Sequence, residues 1–175
     1  MLPGARIISD LLGLHGADNA PERPASRRPF DPNAVTHPVL KALLDFWTLK
    51  RDARGALPGR ADISPSTIKP LLPYIALADV EDGGNNFRFR LFGTRIVEDS
   101  GIDLTGRTWR DEPGHDKAIE RSRLLVENRE PYYMIDVSAK WSPRTYKSYS
   151  TLALPLAKDG VNVDMVLYGV VFGTP

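Results

Sequence analysis

Three histidines, at positions 15, 37 and 115, and no cysteine are all that this chain of 175 residues offers a borderline or soft metal ion. No two of them stand at HxH or HxxxH spacing, which would bring two imidazoles to one side of a strand or helix. A structural zinc site is therefore not expected. The lack of cysteine also excludes disulfides, thiolate-held iron–sulfur clusters and a flavin held as a cysteinyl adduct. Carboxylates suited to acid–base chemistry occur at Asp99, Asp103, Asp111 and Glu112. They fall in or beside loops, where such groups are ordinarily just solvated. No serine, histidine and acid stand in a readable nucleophile pattern. Neither a GxGxxG nor a GxxxxGK[ST] run is present to cradle nucleotide phosphates. The chain is not expected to be an enzyme.

Nucleic-acid binding is suggested by one stretch, Phe87 to Thr94, which reads FRFRLFGT. Binding platforms for single strands set aromatic and basic side chains on one exposed face of a sheet. Here they alternate, and a strand sends alternate residues to opposite faces. Phe87, Phe89 and Leu91 are thus expected in a core. Arg88 and Arg90 are expected on the other face, paired with Asp79, Glu81 or Asp82. The net charge of +1 adds no basic footprint, so no nucleic acid is expected as a partner. No run approaches the roughly 20 apolar residues that cross a bilayer, and the N-terminus lacks the pattern of a secretory signal. These features, with the missing cysteine, fit a cytoplasmic protein.

The elements that must position these residues follow from periodicity. Apolar content of 42% with 26% charged residues suits one globular domain. Residues 1–35 carry Pro21, Pro24, Pro29 and Pro32 among polar residues and read as an arm, with a short amphipathic helix at Ile7–Leu14. The domain is expected over 36–175. Its first helix, 37–52, is capped by Thr36, has Pro38 at its start and bears the stripe Leu40, Leu43, Leu44, Trp47. A second short helix is expected after Ser64. YIALADV and FRFRLFG form a hairpin around Gly83 and Gly84. A helical turn capped by Thr94, a loop and the helix HDKAIERSRLLVENRE follow. The chain closes with PYYMIDVS, TYKSYSTLALPL and VNVDMVLYGVVF. The order gives an α+β fold, a five-stranded antiparallel sheet with helices on one face and an N-terminal flanking helix.

Five stretches carry a family resemblance: Trp47 with Arg51, LPGRADISP at 57–65, LLPYIALADV at 71–80, FRFRLFGT at 87–94 and DLTG at 103–106. Together they resemble the PAS-like family common as single-domain bacterial proteins, over about residues 37–172. The resemblance implies a sensory or regulatory domain and leaves the cofactor unknown. It also implies a ligand cavity between the concave face of the sheet and the helical middle. Residues expected there are Phe89, Leu91, Leu104, Trp109, Tyr133, Ile135, Tyr146, Ser148 and Leu152. The same side chains could instead close-pack without a cavity. Some PAS domains take an axial haem ligand from the region of His115. At a helix start that histidine reads as solvated, and haem is not expected.

The helical stripe Leu40, Leu43, Leu44 and Trp47 is the expected protein interface. It packs either on the outer face of the sheet or on a second subunit, and a homodimer is the expectation. Function is read as non-enzymatic regulation through small-molecule binding, through contact with a protein partner of unknown identity, or both. A carrier of haem, flavin or a metabolite and a small α+β enzyme are the alternatives.

Overall fold

A computed structural model describes residues 29–173; the helix expected at 7–14 lies outside them. Helix α1 spans Pro38–Arg54. Proline at its first position forces the preceding residue into an extended conformation. His37 takes that role in place of Thr36, and its Nδ1 accepts from the Val39 N–H at 3.3 Å. Gly55 ends the helix in the left-handed region (φ 67°), with its N–H on the Arg51 and Asp52 carbonyls. The helix expected after Ser64 is instead a turn leading into a 3₁₀ helix at Lys69–Tyr74, since Pro70 and Pro73 withhold the N–H groups an α-helix needs.

Five strands follow: β1 Ile75–Glu81, β2 Asn86–Phe92, β3 Tyr132–Ser138, β4 Ser148–Leu156 and β5 Met165–Phe172. They form one antiparallel sheet in the order β2-β1-β5-β4-β3. Between β2 and β3 run α2 (Thr94–Ser100), a 3₁₀ turn at Trp109–Asp111 and α3 (Asp116–Asn128). No helix among the described residues is long and apolar enough to cross a membrane.

The sheet divides two apolar cores. On its outer face α1 and the Lys69–Tyr74 turn bury Leu40, Leu43, Leu44 and Trp47 against Ile75, Leu77, Leu152, Leu154 and Leu167. The Trp47 indole donates to the Pro155 carbonyl at 3.0 Å. The expected interface stripe is thus buried within its own chain, because the apolar outer face of the sheet is there to receive it. Val35 is buried in the same core and Phe30 packs against it, so the end of the expected arm is part of the domain. Gly169 lets α1 come close, since a Cβ there would stand 2.8 Å from Cδ2 of both Leu40 and Leu43.

The inner face carries the second core, built with α2, α3 and the crossover. Arg88 pairs with Glu81 at 2.6 Å and Arg90 with Asp79, as the alternation in FRFR requires. The edge of β2 is covered by the crossover, where the Phe89 N–H reaches the Arg107 carbonyl and the Gly106 N–H reaches that of Phe89. Gly93 precedes α2 as its cap and Thr94 is the first helical residue, without a side-chain capping bond.

Two bulges interrupt the ladder. In β2, Leu77 faces Leu91 and Ala78 faces Phe89, which leaves Arg90 as the extra residue. In β3, Ile135 and Asp136 lie between the paired Met134 and Val137, with Asp136 at φ 54°.

Candidate functional site

Between the inner face of the sheet and the crossover lies an aromatic cluster. Phe89 meets Phe92 and Trp109 edge to face, at ring-centroid distances of 5.2 and 4.9 Å. Trp141, from the segment joining β3 and β4, joins Phe92 at 5.9 Å, Trp109 at 6.2 Å and Tyr149 at 5.5 Å. Such pairs place a positive ring edge on a negative face. They leave a cavity of about 20 Å³, room for a water molecule. Its apolar wall is completed by Ala76, Ala118 and Val170, and its polar groups come from Arg121, Tyr132, Thr151 and Tyr168.

The polar groups divide into a satisfied set and an unsatisfied one. Ser122 joins the Tyr168 hydroxyl at 2.8 Å and the Tyr132 hydroxyl at 3.4 Å, tying α3 to the sheet. Burial pushes the Tyr168 hydroxyl well above the usual tyrosine range, so it stays protonated. Trp141 and Thr151 are only 7% and 5% exposed, yet the Trp141 Nε1 and Thr151 Oγ1 have no protein partner. The Trp109 Nε1 is likewise buried and lies near the Tyr168 hydroxyl without hydrogen-bonding geometry. Trp109, Trp141 and Thr151, each with a buried polar atom that lacks a protein partner, therefore line one cavity, although buried polar groups are normally paired.

Of the nine residues expected to line a pocket, Phe89, Leu104 and Trp109 lie in this inner core. Leu91 does not: it is 38% exposed, because the extra residue Arg90 reverses the facing of the strand and puts Phe92 inside. Tyr146 is 81% exposed, on the segment between β3 and β4. Tyr133, Ile135 and Leu152 belong to the outer core against α1, and Ser148 shares the facing of Leu152 along the unbroken β4–β5 ladder. The inward residues of β4 are Tyr149, Thr151 and Ala153, and Tyr132 is the inward residue at the start of β3. Burial raises the Tyr133 hydroxyl above the usual tyrosine range, and the nearby Thr36 opposes the rise without hydrogen-bonding geometry.

The carboxylates considered for catalysis are each engaged. Asp99 faces Arg95 at 2.9 Å and Lys147 at 3.4 Å, and Asp103 accepts from the Thr105 N–H. Asp111 accepts from the Thr108 N–H and hydroxyl, which holds its carboxyl below the usual value. Glu112 is buried beside Arg107 at 2.7 Å; burial raises its carboxyl and the guanidinium opposes the rise. His115 bonds to the Glu112 carbonyl and faces Asp116, beside an open surface hollow with Arg110 and Arg123 rather than in the inner cavity. No group of three or more metal-ligating side chains occurs among the described residues.

A family described as "PAS domain" has a profile matching residues 35–171. A search of curated proteins gives no match. Solved structures include the PAS domain of histidine kinase ThkA, 17% identical with a TM-score of 0.41, covering 55% of this chain and 95% of that one. A sensory box sensor histidine kinase from Vibrio cholerae is 13% identical with a TM-score of 0.43, covering 63% and 92%. A light-oxygen-voltage domain studied with a flavin analogue is 17% identical with a TM-score of 0.44, covering 62% and 85%.

Proposed function

Because the chain belongs to the PAS domain family, we propose that it is a non-enzymatic sensory or regulatory module that binds a small molecule in its inner cavity and passes the signal on by contact with a protein partner. The observation that carries this reading is that Trp109, Trp141 and Thr151, each with a buried, unpartnered polar atom, line one aromatic-walled space. Ligand sites are mainly apolar with a few polar groups that fix orientation, and this composition matches. The engagement of Asp99, Asp103, Asp111 and Glu112 in caps and ion pairs supports a non-catalytic role.

Signal exit follows from the two-core layout. Tyr168 lines the cavity, while its neighbour Gly169 lies against Leu40 and Leu43 of α1 on the opposite face. A ligand that favours one packing of β5 shifts α1 by its differential affinity for the two arrangements. The partner surface is then the solvent side of α1, where Leu49 is 65% exposed and Lys50 stands over the Phe46 ring. A second copy of the chain is the partner this reading favours.

Native mass spectrometry of the purified full chain tests both parts together. The expected spectrum shows a dimer carrying extra mass that is lost on denaturation. A bare monomer whose melting temperature no added metabolite changes would refute the reading.

A further inference from the structure

We propose that the inner cavity takes a single-ring aromatic carboxylate, held by the Trp109 and Trp141 indole N–H groups and the Thr151 hydroxyl. The inference rests on the reading of this cavity as a ligand site and names the chemical class. Two of the three unpartnered atoms are indole nitrogens, which can only donate; the hydroxyl can donate or accept. The missing partner must therefore be rich in acceptors. A carboxylate offers about four acceptor positions on two oxygens, enough in number for all three groups.

Charge points the same way. No carboxylate lines the cavity, so an anion there meets no like charge. The walls call for a flat body. Phe89, Phe92 and Tyr149 line the space and already pack edge to face with aromatic neighbours, a network that a planar ring can extend.

Size sets the condition for entry. About 20 Å³ holds a water and not a ring, so binding requires the Trp109 and Trp141 indoles, with centroids 6.2 Å apart, to spread. Both indoles are carried outside the sheet ladder. Trp109 sits on a single 3₁₀ turn and Trp141 on the segment between β3 and β4. The population able to bind is a fraction of the whole, which weakens the apparent affinity by that fraction.

The test uses the ¹⁵N-labelled full chain, whose three tryptophans give three indole N–H signals. Trp47 already donates to the Pro155 carbonyl and acts as an internal reference. Benzoate and 4-hydroxybenzoate are the probes, and toluene is the ring without an acceptor. Saturable downfield shifts of the Trp109 and Trp141 signals with benzoate, a static Trp47 signal and at least tenfold weaker binding of toluene are expected. Thr151→Val, with its fold verified by circular dichroism, should weaken benzoate roughly tenfold, the scale of one buried hydrogen bond. Toluene binding as tightly as benzoate would overturn the carboxylate assignment while leaving the cavity a ligand site. If neither carboxylate nor toluene moves the two indole signals at millimolar concentration, the cavity is a water site, and both this inference and the ligand-binding reading fall.

Discussion

Replacing Gly93 by alanine isolates a steric term from a conformational one. Gly93 has φ −61°, a value any residue adopts, so alanine brings no backbone strain. What it brings is a Cβ 2.3 Å from the Pro73 carbonyl oxygen and 2.8 Å from that of Ile75. The first contact is about 1 Å short of ordinary van der Waals distance, and both neighbours are backbone, so no rotamer change relieves it. The chain must move there, which breaks the 2.9 Å bond from the Gly93 N–H to the Ile75 carbonyl. Overpacking of about 2–3 kcal/mol and a lost hydrogen bond of about 1 kcal/mol give roughly 3–4 kcal/mol. For a domain of this size that lowers the melting temperature by roughly 6–16 °C. Gly106→Ala is the control, since Gly106 has φ +82° and nothing within 4 Å of its Cβ. There only left-handed strain applies, about 1–2 kcal/mol. Urea denaturation of both variants should rank Gly93→Ala as the more damaging. Equal losses, or a larger loss at Gly106, would refute the steric account of the FGT motif.

Trp47→Phe strands the buried Pro155 carbonyl and should cost about 1–3 kcal/mol in urea denaturation, with any effect under about 0.5 kcal/mol counting against the bond. Arg88→Ala and Arg90→Ala break exposed ion pairs and should change the melting temperature by about 2 °C or less. The Val161 and Asn162 N–H groups hold the Asp159 carboxyl at about 2, below its ordinary 3.8. Its stabilisation is complete above 3.8 and is lost as pH falls through about 2, so the melting-temperature gap between wild type and Asp159→Asn should close across that window and stay constant above it. Leu49→Glu, on the solvent side of α1, should convert the proposed dimer to monomer by light scattering, and an unchanged dimer mass would remove α1 from the interface.

Element order and strand pairing were legible in the chain because each rests on a local pattern. The alternation in FRFR separates arginines from aromatics and is seen in the Arg88–Glu81 and Arg90–Asp79 pairs. Which face each strand turns inward was less legible. Strand β4 is buried on both sides, small polar residues sit on both faces of its first half and its run from Leu152 is continuously apolar, so it gives no parity. Choosing Ser148 and Leu152 for the pocket therefore selected the α1 side, and Tyr149 and Thr151 were missed. Leu91 was lost to a single extra residue, since one unit of register exchanges the faces. Trp141 had no periodic element around it and is placed by tertiary structure. The Ser142 hydroxyl donates to the Ser100 carbonyl at 2.6 Å and the Arg144 guanidinium to that of Glu98, clamping the segment to the end of α2. A tryptophan in a loop was the one sequence signal that could have drawn attention to it.

The kink in β3 bears on how the molecule lives among copies of itself. The sheet order ends at β3, and an outermost strand invites a neighbouring molecule to zip on and extend the sheet. The Ile135–Asp136 bulge, with Asp136 at φ 54°, breaks that template after Tyr132, Tyr133 and Met134. Three residues in register are too short a landing strip for stacking. Among the described residues, this outermost strand is thereby guarded against sheet extension by a neighbouring copy.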